Sequence, residues 1–286
     1  MFVISLIKKN IKRVLRRLKK TVPVYIPIMN GNLLRDRVAL ITGGTSGIGL
    51  AIAKAFLLNG ATVIITSRSK ENINKVISEL KKENDKIYGL VIDNTDIKSF
   101  EIKLKEICAI LGKKKIDILV NNAGINKGST FGNTTSSDFD DVITSNLKGT
   151  YFLSQVIAKY MKENKIKGNI LNIASSSSIR PAISPYTLSK WGIRALTSGM
   201  AKVLIPYGIT VNGLAPGPTY TPMLIKDDYE GIELSSNPSY RYTTAEEIAN
   251  LAVILVSDIG KMIVGDVIYI TGGAGIITYD DIKYEF

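Results

Sequence analysis

From Arg37 to about residue 274 the chain alternates short apolar runs with longer stretches of helical periodicity. Val38–Thr42 (VALIT) is a continuous apolar run of strand length, and a glycine turn separates it from a helical stretch over residues 49–59. Residues 63–66 (VIIT) predict the next strand, followed by a helix through about Lys82. Further strands are predicted at residues 88–92, 116–121, 168–173 and 210–214 and at Val267–Ile270, with helical segments between them. Strands that are apolar throughout, instead of alternating, are buried on both faces. The pattern predicts one α/β domain over residues 36–274, a doubly wound parallel sheet with helices on both faces.

Residues 1–20 follow a different pattern. At 100° per residue, Ile4, Ile7, Ile11, Val14, Leu15 and Leu18 share one stripe, and eight Lys and Arg residues from Lys8 to Lys20 cover the opposite face. This predicts a basic amphipathic helix. Its first apolar run, residues 2–7, is too short to span a membrane, and its charges follow the run, so it does not read as a secretory signal. An anionic membrane surface fits such a face, and so does the protein's own body or another subunit. Residues 21–35, with Pro23 and Pro27, predict an extended linker, and residues 275–286 form a C-terminal tail.

Composition narrows the chemistry. The net charge of +12 suggests nucleic acid until residues 1–20 are set aside, which leaves 29 basic residues against 25 acidic ones. No nucleic-acid partner is expected from so balanced a body. The absence of histidine excludes Ser-His and Cys-His nucleophilic mechanisms and the usual His-bearing zinc sites, so no metal is expected. Cys108 is alone, which excludes an internal disulfide and points to a reducing, cytoplasmic setting, at a membrane's inner face if the N-terminal helix binds there.

The glycine turn carries the first chemical signal. In residues 42–49 (TGGTSGIG), Gly43 permits the tight turn, Gly47 lets the backbone approach a pyrophosphate, and Gly49 lets helix pack on strand. With Thr45, Ser46 and Ile48 it places free N–H groups and positive partial charge at a helix N-terminus. This is the phosphate loop of a Rossmann-type sheet. The second strand ends in residues 66–69 (TSRS), which lack the acid that takes the ribose hydroxyls of NAD. Arg68, beside Ser67, suits a 2′-phosphate, with Thr45 and Ser46 to help hold it. NADP(H) is therefore expected over NAD(H).

Several motifs in order resemble the short-chain dehydrogenase/reductase family across residues 36–274: the glycine loop, Asp93 in IDNTD, residues 121–124 (NNAG), Asn146 in SNLKGTYF, residues 186–190 (YTLSK), residues 216–221 (PGPTYT), residues 241–249 (RYTTAEEIA) and Gly272-Gly273. The 3-oxoacyl-acyl-carrier-protein reductase branch is the nearest in form. The resemblance implies catalysis by Tyr186, Lys190, Ser175 and Asn146. Tyr186 and Lys190, four positions apart, share a helix face. A free tyrosine titrates near 10, and lowering it by about three units takes roughly 4 kcal/mol of preference for the phenolate. A lysine ammonium and a positive nicotinamide ring favour that charge. Tyr186 would then donate the proton to a carbonyl oxygen, and Lys190 would also bond the nicotinamide ribose.

Ser175 lies eleven residues before Tyr186, where the family more often has thirteen, so Ser176 stays a candidate for the serine that bonds the substrate oxygen. Asn146, in a helix beginning near Asp138, matches the asparagine that holds a relay water. By the same resemblance Asp93 and Asn94 frame the adenine, and Asn121, Ala123 and Gly124 line the cofactor channel. Pro216, Gly217, Thr219 and Thr221 hold the carboxamide, Thr219 through its backbone. Specificity is expected from residues 223–238. The implied activity interconverts a carbonyl and a secondary alcohol on a small-molecule or carrier-linked substrate, in a homotetramer or dimer. A sugar, polyol or other small-alcohol dehydrogenase is the alternative within the family, and a non-catalytic NADP-binding scaffold the alternative outside it.

Overall fold

The structure, a computed structural model, describes residues 31–128, 130–223 and 231–278. The expected N-terminal helix, most of the linker, residues 224–230 of the specificity segment and residues 279–286 of the tail lie outside the described residues. Among the described residues no helix is long and apolar enough to cross a membrane.

A seven-stranded parallel sheet forms in the order β3-β2-β1-β4-β5-β6-β7. Its strands are β1 (Val38–Thr42), β2 (Thr62–Ser67), β3 (Ile87–Val91), β4 (Ile118–Asn121), β5 (Asn169–Ile173), β6 (Thr210–Pro216) and β7 (Val267–Ile270). Helices α1 (Gly47–Leu58), α2 (Lys70–Leu80) and α3 (Phe100–Leu111) connect the first four strands. Helices α4 (Ser136–Ile143) and α5 (Gly149–Glu163) lead to β5, α6 (Pro185–Leu204) leads to β6, and α7 (Ala245–Val256) precedes β7. The doubly wound α/β fold read from the sequence is the fold observed.

The strands are apolar throughout because each supplies two cores. Ala39 and Ile41 of β1 and Val63 and Ile65 of β2 pack with α1, α2 and α7 on one face. Val38, Leu40 and Ile64, the alternate positions, pack with α3 and α5 on the other. Helix α1 begins two residues earlier than expected and β6 runs two residues further, because its ladder with β7 continues to Pro216 opposite Ile270. At the N-terminal ends of the central strands Arg37 is a brace. Its Nε lies 2.5 Å from Asp117 Oδ2 and its Nη2 donates to Asn169 Oδ1 at 2.6 Å. Burial pushes the Asp117 carboxyl up, and Arg37 pulls it back part of the way.

Strand order reverses between β1 and β4. The loops leaving their C-terminal ends run in opposite directions and open a crevice there, which is where open α/β sheets bind ligands.

Candidate active site

The crevice is a cavity of about 780 Å³. Its nucleotide half is built by the β1–α1 turn. Gly43 sits at φ +64°, a conformation an L side chain resists, and a Cβ there would press on Ala123 at 3.0 Å. Gly49 packs behind the loop, where a Cβ would collide with the Gly43 carbonyl oxygen. Ser46 caps α1 in extended conformation without a side-chain cap bond, and the first turn holds no acid. The N–H groups and dipole of α1 therefore face the crevice uncompensated.

Thr45, Ser46, Gly47, Ile48, Ser67, Arg68, Asp93 and Asn94 all line this half. Arg68 is exposed at the end of β2. Asn94 Nδ2 and Thr66 Oγ1 are buried here with no hydrogen-bond partner. Buried polar groups left open cost free energy until something bonds them. These orphaned atoms, the bare helix N-terminus and the glycine cradle fit a dinucleotide with its phosphates at α1.

The reacting half lies beyond the ends of β4, β5 and β6. Ser184 caps α6, accepting from Thr187 N, and Pro185 occupies the first turn. This sets Tyr186 at the helix start on the cavity wall, with Lys190 one turn on. Lys190 Nζ donates to Ile173 O at 2.8 Å and lies 5.5 Å from the centroid of the Tyr186 ring. Burial lowers Lys190 to about 8. Ser175 follows β5, caps a short 3₁₀ turn (Ser176–Ile179), and its hydroxyl stands beside Tyr186, where it favours the charged form of the phenol. Ser176 lines the cavity too, but Ser175 is the serine that acts on the Tyr186 phenol. Pro216, Gly217, Thr219 and Thr221 close the wall beyond β6. Thr219 Oγ1 donates back to Gly217 O at 2.9 Å.

Some expectations change in three dimensions. Burial pushes the Tyr186 phenol up, and the Ser175 hydroxyl opposes this only in part. Asn121, expected on the channel wall beside Ala123 and Gly124, is turned into the sheet, where its Nδ2 donates to Ser154 Oγ and Asn172 Oδ1, each at 2.8 Å. Its neighbour Asn122 takes the wall position and donates to the carbonyls of Thr42 and Gly43, fixing the glycine loop. Strand alternation, applied to the last residue of β4, was the available signal. Asn146 stands behind the wall. The helix expected near Asp138 starts at Ser136 and passes into a π turn, Thr144–Lys148, that holds Asn146. Its amide clamps the Ile125 backbone, accepting from N at 2.8 Å and donating to O at 2.9 Å, and also donates to Ser189 Oγ. Single-turn π bulges are frequent at functional sites.

Tyr242, Leu234 and Ser236 also line the reacting half. They come from a loop closed by Tyr242 N to Ile232 O and Leu234 N to Tyr240 O. Tyr242 lies outside the segment expected to set specificity, and no local pattern marks it.

The short chain dehydrogenase family model matches residues 37–230. The dehydrogenase subunit from Thauera aromatica acting on (2S)-[(R)-hydroxy(phenyl)methyl]succinyl-CoA is 35% identical over 244 residues, 84% of this chain and 97% of that protein. A 3-oxoacyl-[acyl-carrier-protein] reductase from Thermotoga maritima is 36% identical over 244 residues, 84% of this chain and 98% of its own. The structure of a gluconate 5-dehydrogenase from Burkholderia cenocepacia, in complex with NADP and tartrate, superposes with a TM-score of 0.76 at 31% identity, covering 85% of this chain and 98% of that one. A glycine loop at a helix N-terminus, a half-buried tyrosine and a buried lysine thus stand in a chain that belongs to the short chain dehydrogenase family, as an NAD(P)-dependent oxidoreductase.

Proposed function

We propose that this enzyme interconverts a carbonyl and a secondary alcohol with NADP(H), and that Ser175, Tyr186 and Lys190 carry the chemistry. The observation that carries the reading is that Ser175, Tyr186 and Lys190 share one cavity wall, with Lys190 Nζ 5.5 Å from the centroid of the Tyr186 ring. Ser175 orients the substrate oxygen, and Tyr186 gives it the proton in reduction and takes the proton back in oxidation. Lys190 and the N-terminal end of α6 both favour the phenolate. Asn146 fixes the Ile125 wall and, through Ser189, the backbone of Tyr186. When bound, NADP(H) supplies or accepts the hydride and, oxidised, brings a positive ring that favours the phenolate further. Arg68, together with Thr45 and Ser46, would hold the 2′-phosphate, and the absence of an acid at the end of β2 supports NADP over NAD.

The relatives' names span a CoA thioester, a carrier-linked oxoacyl group and a sugar acid, so the substrate search starts from acetoacetyl thioesters and keto sugar acids. Absorbance of NADPH and NADH is followed with such a panel for the wild type and Tyr186→Phe. NADPH is expected to be the faster donor, and Tyr186→Phe to lose about 10²-fold or more in turnover. Equal turnover in the two proteins removes the catalytic assignment; equal rates with both donors remove the cofactor preference.

The basic stripe of residues 1–20 supports a further assignment, reversible contact with an anionic membrane surface. Full-length protein should pellet with phosphatidylserine vesicles at low salt, and a chain starting at Gly31 should stay in the supernatant. Equal pelleting of the two overturns this.

A further inference from the structure

Four consecutive serines follow β5, and the mechanism uses only the first. Ser178 is fully buried, yet it is not idle. Its hydroxyl donates to the Ser175 carbonyl oxygen at 2.7 Å, and its N–H donates to the same oxygen at 2.9 Å. Its single proton is therefore committed, so the 3.0 Å contact with Tyr269 Oη must have tyrosine as donor. Tyr269 lies on β7, with its ring packed against the small cluster of Ala174, Ile193 and Ala215 directly behind Ser175. Ser177 N completes the turn by donating to Ser175 Oγ at 3.1 Å. Hydrogen bonds thus tie Tyr269 to Ser178 and Ser178 to the Ser175 backbone, which carries the hydroxyl that stands beside Tyr186.

We infer that Tyr269 and Ser178 are positioning residues, which anchor the compact serine turn to β7 and so hold the Ser175 hydroxyl against Tyr186. The turn has two residues fewer than the family usually places between this serine and its tyrosine. A shorter connection leaves less of its own backbone to fix the serine, and a tether to a neighbouring strand supplies the missing constraint. The consequence is electrostatic as well as geometric. The Ser175 hydroxyl opposes the upward push of burial on the Tyr186 phenol. Anything that loosens Ser175 lets that phenol rise. The arm from Ser175 to Tyr186 rests on the catalytic reading above; the arm from Tyr269 to Ser175 does not.

Tyr269→Phe removes only the hydroxyl and keeps the packed ring. The Tyr186 phenol is titrated directly, as the difference in tyrosinate absorbance between a protein and its Tyr186→Phe counterpart. Tyr269→Phe should raise that midpoint by on the order of half a pH unit. With acetoacetyl-CoA or whichever panel carbonyl is turned over, kcat should fall several-fold and KM for NADPH should hold. In a Ser175→Ala background the same substitution should move neither quantity, since the two residues act through one bond. Ser178→Ala should reproduce the shift of Tyr269→Phe without adding to it. An unchanged midpoint in Tyr269→Phe, or an equal shift with and without Ser175, overturns the inference. Failure of the catalytic reading would show separately, as full turnover in Tyr186→Phe with the titration shift intact.

Discussion

Tyr186 and Lys190 are neighbours whose environments move them in opposite directions. Burial pushes the tyrosine phenol up and lowers the lysine to about 8. The tyrosine is therefore a protonated donor across the neutral range, while the lysine's charge is lost within reach of ordinary buffers. For reduction, kcat/KM should be flat below about pH 8 and fall above it as the ammonium that favours the phenolate disappears. Lys190→Met should be slower throughout and should lack that limb; a pH–rate profile with the same alkaline limb in both proteins would refute the assignment. The sign for stability is the reverse. Between about 8 and the ordinary lysine value of 10.5, the folded protein binds fewer protons at this site than the unfolded chain. This group's contribution to unfolding free energy therefore rises with pH through that window. At this scale the residue types were legible, because spacing on a helix is local. The pKa directions were not, because burial is set by what packs from elsewhere.

Among the elements, the β1–α1 turn and the π turn show two kinds of legibility. The positive φ that demands glycine at Gly43 belongs to a turn readable from its own sequence, but the crowding at Gly43 and Gly49 comes also from Asn122 and Ala123, beyond β4. Gly49→Ala should destabilise the protein by about 1–3 kcal/mol through overpacking. It should weaken NADPH binding in the same step, as thermal melting and a fluorescence titration would report. Gly199→Ala, inside α6 with nothing within 4 Å of the added carbon, should instead gain about 0.5–1 kcal/mol. Matched losses in the two variants would show that the cradle is not crowded. The π turn at Asn146 was invisible beforehand. Nothing in residues 144–148 distinguishes it from α-helix, and the amide that settles it reaches 21 positions back to Ile125.

Across the molecule, the sheet is pinned at the end opposite the crevice. Arg37 joins β1 to Asp117 before β4, to Asn169 of β5 and to Val256 O at the end of α7. Arg37→Met should cost about 2–3 kcal/mol in denaturant unfolding, since it leaves the partly buried Asp117 carboxylate without its cation. Asp117→Asn on top of it should recover part of the loss, and a fully additive double mutant would mean the pair is not coupled. By itself, the sequence determined the strands and helices, the glycine turn between β1 and α1 and the Tyr-Lys helix face, because hydrophobic period, glycine placement and i,i+4 spacing act over a few residues. Only the tertiary structure decided which asparagine faces the cavity, which serine meets Tyr186, and that Tyr269, some ninety residues away in sequence, stands behind that serine. Those choices depend on strand order and on side chains arriving from different crossovers, and a pattern along one chain does not record which strands become neighbours.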